Sequence, residues 1–284
     1  MDFAEADKLP RRTHVDAANY AIAQFEALGL NPPQRLVEMH NALEGEHIPF
    51  VSSSFPMALE SMRDLHQLLL IFEQLKEHRS DRRYLNEVKH LLHDHVLPQD
   101  DTDSPGRDRQ FQLYLAAICQ KAGLVPVAHE EPDVTCHVNG SKFGIAAKRI
   151  KSTNILAIQK HIKKGARQLR GQGLCGIIAL DLTMSRNPDN NLMTSRLHGQ
   201  AYAMISESVS REFSETHHED IGRWVASENA MDNVKAILIV EFYFRIKENE
   251  RWGLEGNLYW KQNGPDPLFE AFVEEFSKRT PGAT

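Results

Sequence analysis

The sequence has few of the residues that build a disulfide framework or a membrane span. Its 284 residues include three cysteines, Cys119, Cys136 and Cys175, without CxxC spacing, so we expect small core residues and neither disulfides nor a zinc ribbon. The longest apolar runs, such as 236–240, are far too short to cross a bilayer. The first residues, MDFAEADKLPRR, carry acids where a signal peptide would be basic. These absences predict an intracellular, cytoplasmic protein without a membrane association.

A second absence concerns negative charge. Between Val134 and Leu180 the chain has no Asp or Glu, although its formal net charge is −6. The same stretch contains nine basic residues: Lys142, Lys148, Arg149, Lys151, Lys160, Lys163, Lys164, Arg167 and Arg170. Net charge is an average, so a concentrated basic face can bind phosphate even in a mildly acidic protein.

The first hundred residues are predicted to be helical and to form an N-terminal domain over 1–98. Stop and start signals separate the helices, and apolar residues recur at helical spacing. The predicted helices are 13–28, one opened by Pro32-Pro33, one from about Ser54, and one from Asp81 with an apolar stripe to Val96. The polar, turn-rich segment 99–106 is the predicted linker.

Residues 107–284 are predicted to form an α/β domain. Asn139-Gly140 is a strong hairpin turn signal between two short strands. A helical crossover should then place the strand ending at Lys148 beside strand 174–182, parallel to it. The predicted elements are helix 107–122, strands 125–128, 133–138 and 143–149, helix 153–170, strand 174–182, a long helix 192–213 continuing after a break through Trp224, strands 235–246 and 256–260, and helix 268–276.

The predicted hairpin brings together two residues of opposite charge. Asp133 begins one strand and Lys148 lies near the end of the next, so both come to the same end of the hairpin. Ala146 shares a face with Lys148 because strand side chains alternate. A carboxylate that holds Mg²⁺ and a lysine that orients water suit phosphodiester hydrolysis.

At these residues the chain resembles the PD-(D/E)XK nuclease superfamily. Pro132-Asp133 matches the first acidic position, and Lys148 matches the lysine of the acid-x-Lys tripeptide. The order of elements from Arg107 to Leu182, roughly a quarter to a third of the chain, matches the family core. The resemblance implies a restriction-endonuclease-like sandwich, a mixed sheet flanked by helices, with Asp133 as the metal ligand and Lys148 as the catalytic lysine.

The chain departs from the family pattern at Ala146, where the second acid should stand. Three explanations are open. The carboxylate has migrated to Glu130, Glu131 or Asp181; the protein binds without cutting; or an acidic residue has been replaced by alanine. The leading helix offers the neutral Gln112 where relatives often have a metal-binding glutamate.

The helix after Lys148 supplies the substrate argument. Its basic residues have no acidic partner at helical spacing, so they repel one another unless an anion lies alongside. Backbone phosphates would supply that anion. The predicted nucleic-acid-binding residues are Lys151, Lys160, Lys163, Lys164, Arg167, Gln168 and Arg170, and Gln159 joins Gln168 as a candidate for positioning phosphate or water.

Less specific interpretations compete with this one. A solvated basic helix is common, and Asp133 and Lys148 could be an ordinary turn residue and an edge lysine. His90 and Asp94 share a helical face, but no further ligand is identifiable, so surface histidines are the better interpretation.

The sequence thus predicts a metal-dependent endonuclease that hydrolyses double-stranded DNA with Mg²⁺ or Mn²⁺. The alternative is a non-catalytic nucleic-acid-binding or assembly protein that keeps the fold. A third reading is a helical interaction protein whose basic patch meets an acidic partner. We also expect the N-terminal helices to form a homodimer or to bind a protein partner.

Overall fold

A computed structural model of the chain describes residues 14–44, 55–91, 93–97, 100, 103, 105–186, 216–246, 252–262 and 265–279. The described residues form two compact units, which divide between Ile118 and Cys119. None of the helices in these ranges is both long and apolar enough to cross a membrane.

The first unit is built from helices throughout its described residues. They are α1 (His14–Ala27), α2 (Gln34–Leu43), α3 (Phe55–Gln74), a 3₁₀ turn (Lys76–Ser80), α4 (Arg82–Lys89) and most of α5 (Pro105–Ala122). Asp81 caps α4 by accepting a hydrogen bond from the Arg83 N–H at 2.8 Å. As predicted, Asp81 starts a helix, but the helix ends at Lys89 and does not continue to Val96.

A cluster of charged side chains lies in the interior of this helical unit. Asp64 accepts hydrogen bonds from Arg35, from Arg107 at 3.3 Å and from Gln110 at 3.1 Å. Burial alone would raise the pKa of Asp64, but the guanidinium groups of Arg35 and Arg107 hold it well below its usual range. Burial lowers the pKa of Arg107 to about 10. These three partners of the Asp64 carboxylate all belong to the helical unit.

The second unit is an α/β structure with a mixed five-stranded sheet in the order β1-β2-β3-β4-β5. Its elements are β1 (Val134–Val138), β2 (Ser141–Arg149), α6 (Ile155–Gly171), β3 (Cys175–Asp181), α7 (Thr183–Arg186), α8 (His218–Ser227), β4 (Val234–Ile246), β5 (Trp252–Gln262) and α9 (Pro267–Arg279). The two outer pairs are antiparallel, and β2, β3 and β4 run parallel. The predicted hairpin, the parallel crossover through α6 and the final strand pairing are therefore confirmed.

Helices cover both faces of the sheet. The α6 residues Ile158, Ile162 and Leu169 are buried in one apolar cluster with Ala146, together with Val225 from α8. On the other face, Phe272 of α9 stacks on Phe143 of β2 with ring centroids 4.6 Å apart. Burial on both sides explains why the middle of β2, residues 143–147, and most of β3 lack polar side chains.

Some sequence predictions differ from the structure. Residues 125–128 do not form a strand; they contribute an isolated bridge between Ala128 and Thr135. The predicted helix 192–213 and much of the linker 99–106 lie outside the described residues. Cys119 and Cys136 are free and buried, as expected of core residues, whereas Cys175 is partly exposed.

Candidate functional site

A tight turn at Asn139-Gly140 closes the hairpin that carries the candidate site. Both turn residues have positive φ, 50° and 78°, as favoured two-residue hairpin turns require. The resulting register pairs Val134 with Ile145 and sets the preceding Asp133 beside Ala147. The hairpin predicted from the turn signal thus places Asp133 next to the C-terminal end of β2.

Asp133 and Lys148 form a direct ion pair. The Lys148 Nζ lies 2.5 Å from Asp133 Oδ2, and its second acceptor is the Ala147 carbonyl at 2.9 Å. The Ala147 N–H donates to the same Asp133 oxygen at 2.8 Å. The other carboxylate oxygen, Oδ1, is left facing Gln168.

Burial dominates the electrostatics of this pair. The side chains of Lys148 and Asp133 are 6% and 13% exposed. Burial raises the pKa of Asp133 and lowers the pKa of Lys148, and their mutual attraction offsets these shifts only in part. A lysine with a lowered pKa is more readily available as a neutral amine that accepts a proton.

Ala146 lies on the face of β2 that packs against α6. Its side chain is fully buried, and a Cβ built on Gly165 would lie 3.2 Å from the Ala146 Cβ. The glycine therefore lets α6 approach the strand closely at this point. A larger side chain at position 146 has no space unless the helix moves.

The three carboxylates that were candidates to replace an acid at position 146 lie in different places. Asp181 pairs in register with Arg149 and forms an ion pair with it at 3.0 Å, on the face opposite Lys148 because strand side chains alternate. Glu130 contacts Lys142 at 2.6 Å and Thr135 at 2.8 Å. Glu131 shares a hydrogen-bonding partner with Asp133.

That shared partner is Gln168 on α6. Its Nε2 lies 2.7 Å from the Pro132 carbonyl oxygen, 3.1 Å from Glu131 Oε2 and 3.4 Å from Asp133 Oδ1. Its Oε1 is buried and has no hydrogen-bond partner in the described parts of the chain. Gln168, predicted to position phosphate or water, therefore contacts the acidic turn, which is formed by Glu131, Pro132 and Asp133.

The predicted basic surface of α6 divides into two sides. Lys160 and Lys164 are exposed one turn apart, and the charge of Lys164 acts on Lys148. Arg167 instead forms an ion pair with the Glu228 carboxylate at 3.6 Å, and Arg170 donates to the Glu228 carbonyl at 2.5 Å. The remaining predicted contacts, Lys151 and Lys163, are exposed and half-buried respectively.

The structure adds His161 to the surroundings of the site. Burial, together with the charges of Lys148, Lys164 and Lys160, lowers the pKa of this histidine. Its spacing of three from Lys164 and seven from Gln168 places all three on one flank of α6. This spacing is present in the sequence, but the burial that lowers the pKa of His161 depends on the packing of α6.

The oxygen donors at the acidic turn fit a hard divalent cation in kind, since Mg²⁺ is held by one or two carboxylates and keeps several waters. Across the described ranges, no three His, Cys, Asp or Glu side chains form a metal-binding group. Asp94, considered beside His90, instead caps α5 by accepting from the N–H groups of Gly106 and Arg107 at 3.2 and 2.6 Å.

In comparisons with known proteins, the chain matches no protein-family model, no curated protein and no solved structure.

Proposed function

We propose that the sheet unit is a metal-dependent endonuclease of the PD-(D/E)XK type that hydrolyses phosphodiester bonds in DNA. The observation that carries this proposal is the 2.5 Å ion pair between Lys148 and Asp133 at the end of a hairpin, beside a basic helix. A structural ion pair alone would not need the positive flank of Lys160 and Lys164 next to it, which forms no ion pair within the described parts of the chain.

In this proposal the chain's own residues bind the backbone and move a proton. Lys160 and Lys164 hold phosphates on either side of the scissile bond, and each contact releases counterions. Lys148, whose pKa burial lowers, accepts a proton at Nζ from the attacking water or, when charged, stabilises the developing phosphorane. Asp133 would hold Mg²⁺ or Mn²⁺, which supplies Lewis-acid polarisation of the phosphate when bound.

A second candidate function is nucleic-acid binding without cleavage. Ala146 favours it, because a buried methyl group stands where the family places an acid. In this case the same flank of α6 binds phosphates, and the Asp133–Lys148 pair serves only to hold the hairpin end.

Binding is tested with the full chain and a labelled 30-base-pair duplex over a salt series. Replacing both flank lysines, K160Q/K164Q, should weaken retention and reduce the log–log salt slope by about two. The matched control K76Q/K89Q removes the same charge from exposed positions of the helical unit and should leave the slope unchanged. Equal slopes for the two double variants would remove α6 from the interface.

Cleavage is measured on the same duplex with Mg²⁺ and with Mn²⁺. Lys148→Met should lower the rate by about 100-fold or more while retention changes little, because proton transfer typically contributes a factor of this size. Retention without cutting in either metal would favour the second candidate. If the chain does not bind the duplex even at low salt, both the nuclease and the binding-only candidate are wrong, and an acidic protein partner is favoured.

A further inference from the structure

The buried methyl group of Ala146 leaves the proposed endonuclease without the second acid of its family pattern. Because α6 packs directly against Ala146 at Gly165, there is no space on this side of β2 for another side chain to bind a cation. A second carboxylate must therefore approach Asp133 from another direction, and the acidic turn before β1 is the available side.

Three oxygen atoms converge on a single atom at this turn. Glu131 Oε2, the Pro132 carbonyl and Asp133 Oδ1 lie 3.1, 2.7 and 3.4 Å from Gln168 Nε2. A side-chain amide nitrogen has two hydrogens, so it cannot donate well to all three acceptors. A cation at such a point would satisfy all three at once, which an amide cannot.

The two carboxylates of the turn are also unequally neutralised. Lys148 is paired with Asp133 through Oδ2, which leaves Oδ1 directed at Gln168. Glu131 is exposed, and the ion pairs found in the described ranges do not include it. One carboxylate charge next to Asp133 is therefore available to a cation from solvent.

We propose that Glu131 is the second acidic metal ligand of this site, in place of an acid at position 146. Gln168 is its positioning residue: the amide holds Glu131 and Asp133 together and gives way when a divalent cation enters. This inference rests on the proposed function, since it concerns the same Mg²⁺ or Mn²⁺, and it deepens it by assigning a ligand that the acid-x-Lys pattern does not contain.

Metal binding itself provides the test, independently of cutting. Mn²⁺ is titrated into the full chain and free aqueous Mn²⁺ is followed by electron paramagnetic resonance, with and without the duplex in excess. Glu131→Gln keeps the side chain's shape and should weaken Mn²⁺ binding by about tenfold or more, because even the loss of an outer-shell partner typically costs this much. Glu130→Gln is the matched control, because the neighbouring Glu130 contacts Lys142 and Thr135 instead, and it should stay within about twofold of the parent chain.

Equal Mn²⁺ affinities for the two variants, or no Mn²⁺ binding by the parent chain in either condition, would overturn the assignment of Glu131. Its failure is distinguishable from failure of the proposed function. Glu131-dependent Mn²⁺ binding without any cutting keeps the assignment and removes the nuclease, whereas cutting that Glu131→Gln leaves intact keeps the nuclease and removes the assignment.

Discussion

The chain buries charged side chains in both of its units, and the two sites differ in how completely they are satisfied. In the helical unit, Asp64 receives two guanidinium groups and an amide, and its pKa is lowered. In the sheet unit, Asp133 receives one ammonium and one main-chain N–H on Oδ2, and its pKa is raised. Burial is the largest single influence on both carboxyls, but the number of cations decides the direction.

This difference separates a structural cluster from a candidate site. A carboxylate enclosed by guanidinium groups from two other helices, α2 and α5, has no remaining capacity for a ligand, and its contribution is to the packing of those helices. A carboxylate with one cation, a second oxygen directed at the Gln168 amide and an exposed neighbour in Glu131 can exchange partners. Perturbed groups of the second kind are candidates for functional sites.

The largest expected effect concerns Ala146, on the side of the site where β2 packs against α6. Ala146→Glu forces a carboxylate into the contact between β2 and Gly165, and it should cost about 4 kcal/mol or more from overpacking and an unpaired buried charge. The free energy of unfolding in urea measures this, with Ala157→Glu, on the half-buried side of α6, as the control. A stable Ala146→Glu chain with new Mn²⁺ affinity would show instead that position 146 is the metal ligand site.

The next effect compares the two ion pairs directly. Arg35→Met should cost about 3 kcal/mol, because it removes a cation from a fully enclosed carboxylate. Lys148→Met should cost only about 1 kcal/mol, because Asp133 keeps the Ala147 N–H and can take up a proton. Both are measured by urea unfolding, with the exposed Arg82→Met as a control near zero. A larger loss at Lys148 than at Arg35 would make the sheet pair the structural one.

The smallest effect is a pH dependence. His161 has a lowered pKa in the folded chain, so between that value and its usual value the unfolded chain binds more protons. Stability should therefore fall as pH drops below about 6.5. His161→Gln should flatten this part of the curve of melting temperature against pH. An unchanged curve for His161→Gln would mean that neither burial nor the charges of Lys148, Lys164 and Lys160 lower the pKa of this histidine in the folded chain.

Much of the site's framework follows from local sequence. Asn139-Gly140 defines the turn, and period-two alternation places Asp133 and Lys148 at one hairpin end. The three- and four-residue spacing of Ile158, Ile162 and Leu169 gives α6 its buried side. These features depend on neighbours a few residues apart, so they could be predicted. The apolar spacing predicted a helix as far as Val96, whereas α4 ends at Lys89. Apolar spacing alone does not mark the residue at which a helix ends.

Long-range packing decided the chemistry within that framework. Whether Asp181 faces Lys148 depends on the register of two parallel strands, and whether Arg167 is available depends on the position of Glu228 in another helix. Neither relation is encoded in local periodicity. The division of the basic residues of α6 therefore could not be predicted from their spacing alone.

The sequence by itself determined an α/β unit with an acid-free basic segment and one carboxylate–lysine pair, because turn chemistry and side-chain periodicity are local. Only the tertiary structure decided that Ala146 is buried against α6. It also decided that the Gln168 amide contacts the carboxylates of both Glu131 and Asp133. The physical reason is that burial and the convergence of oxygen atoms arise where separate segments pack together, and no single segment specifies its partner.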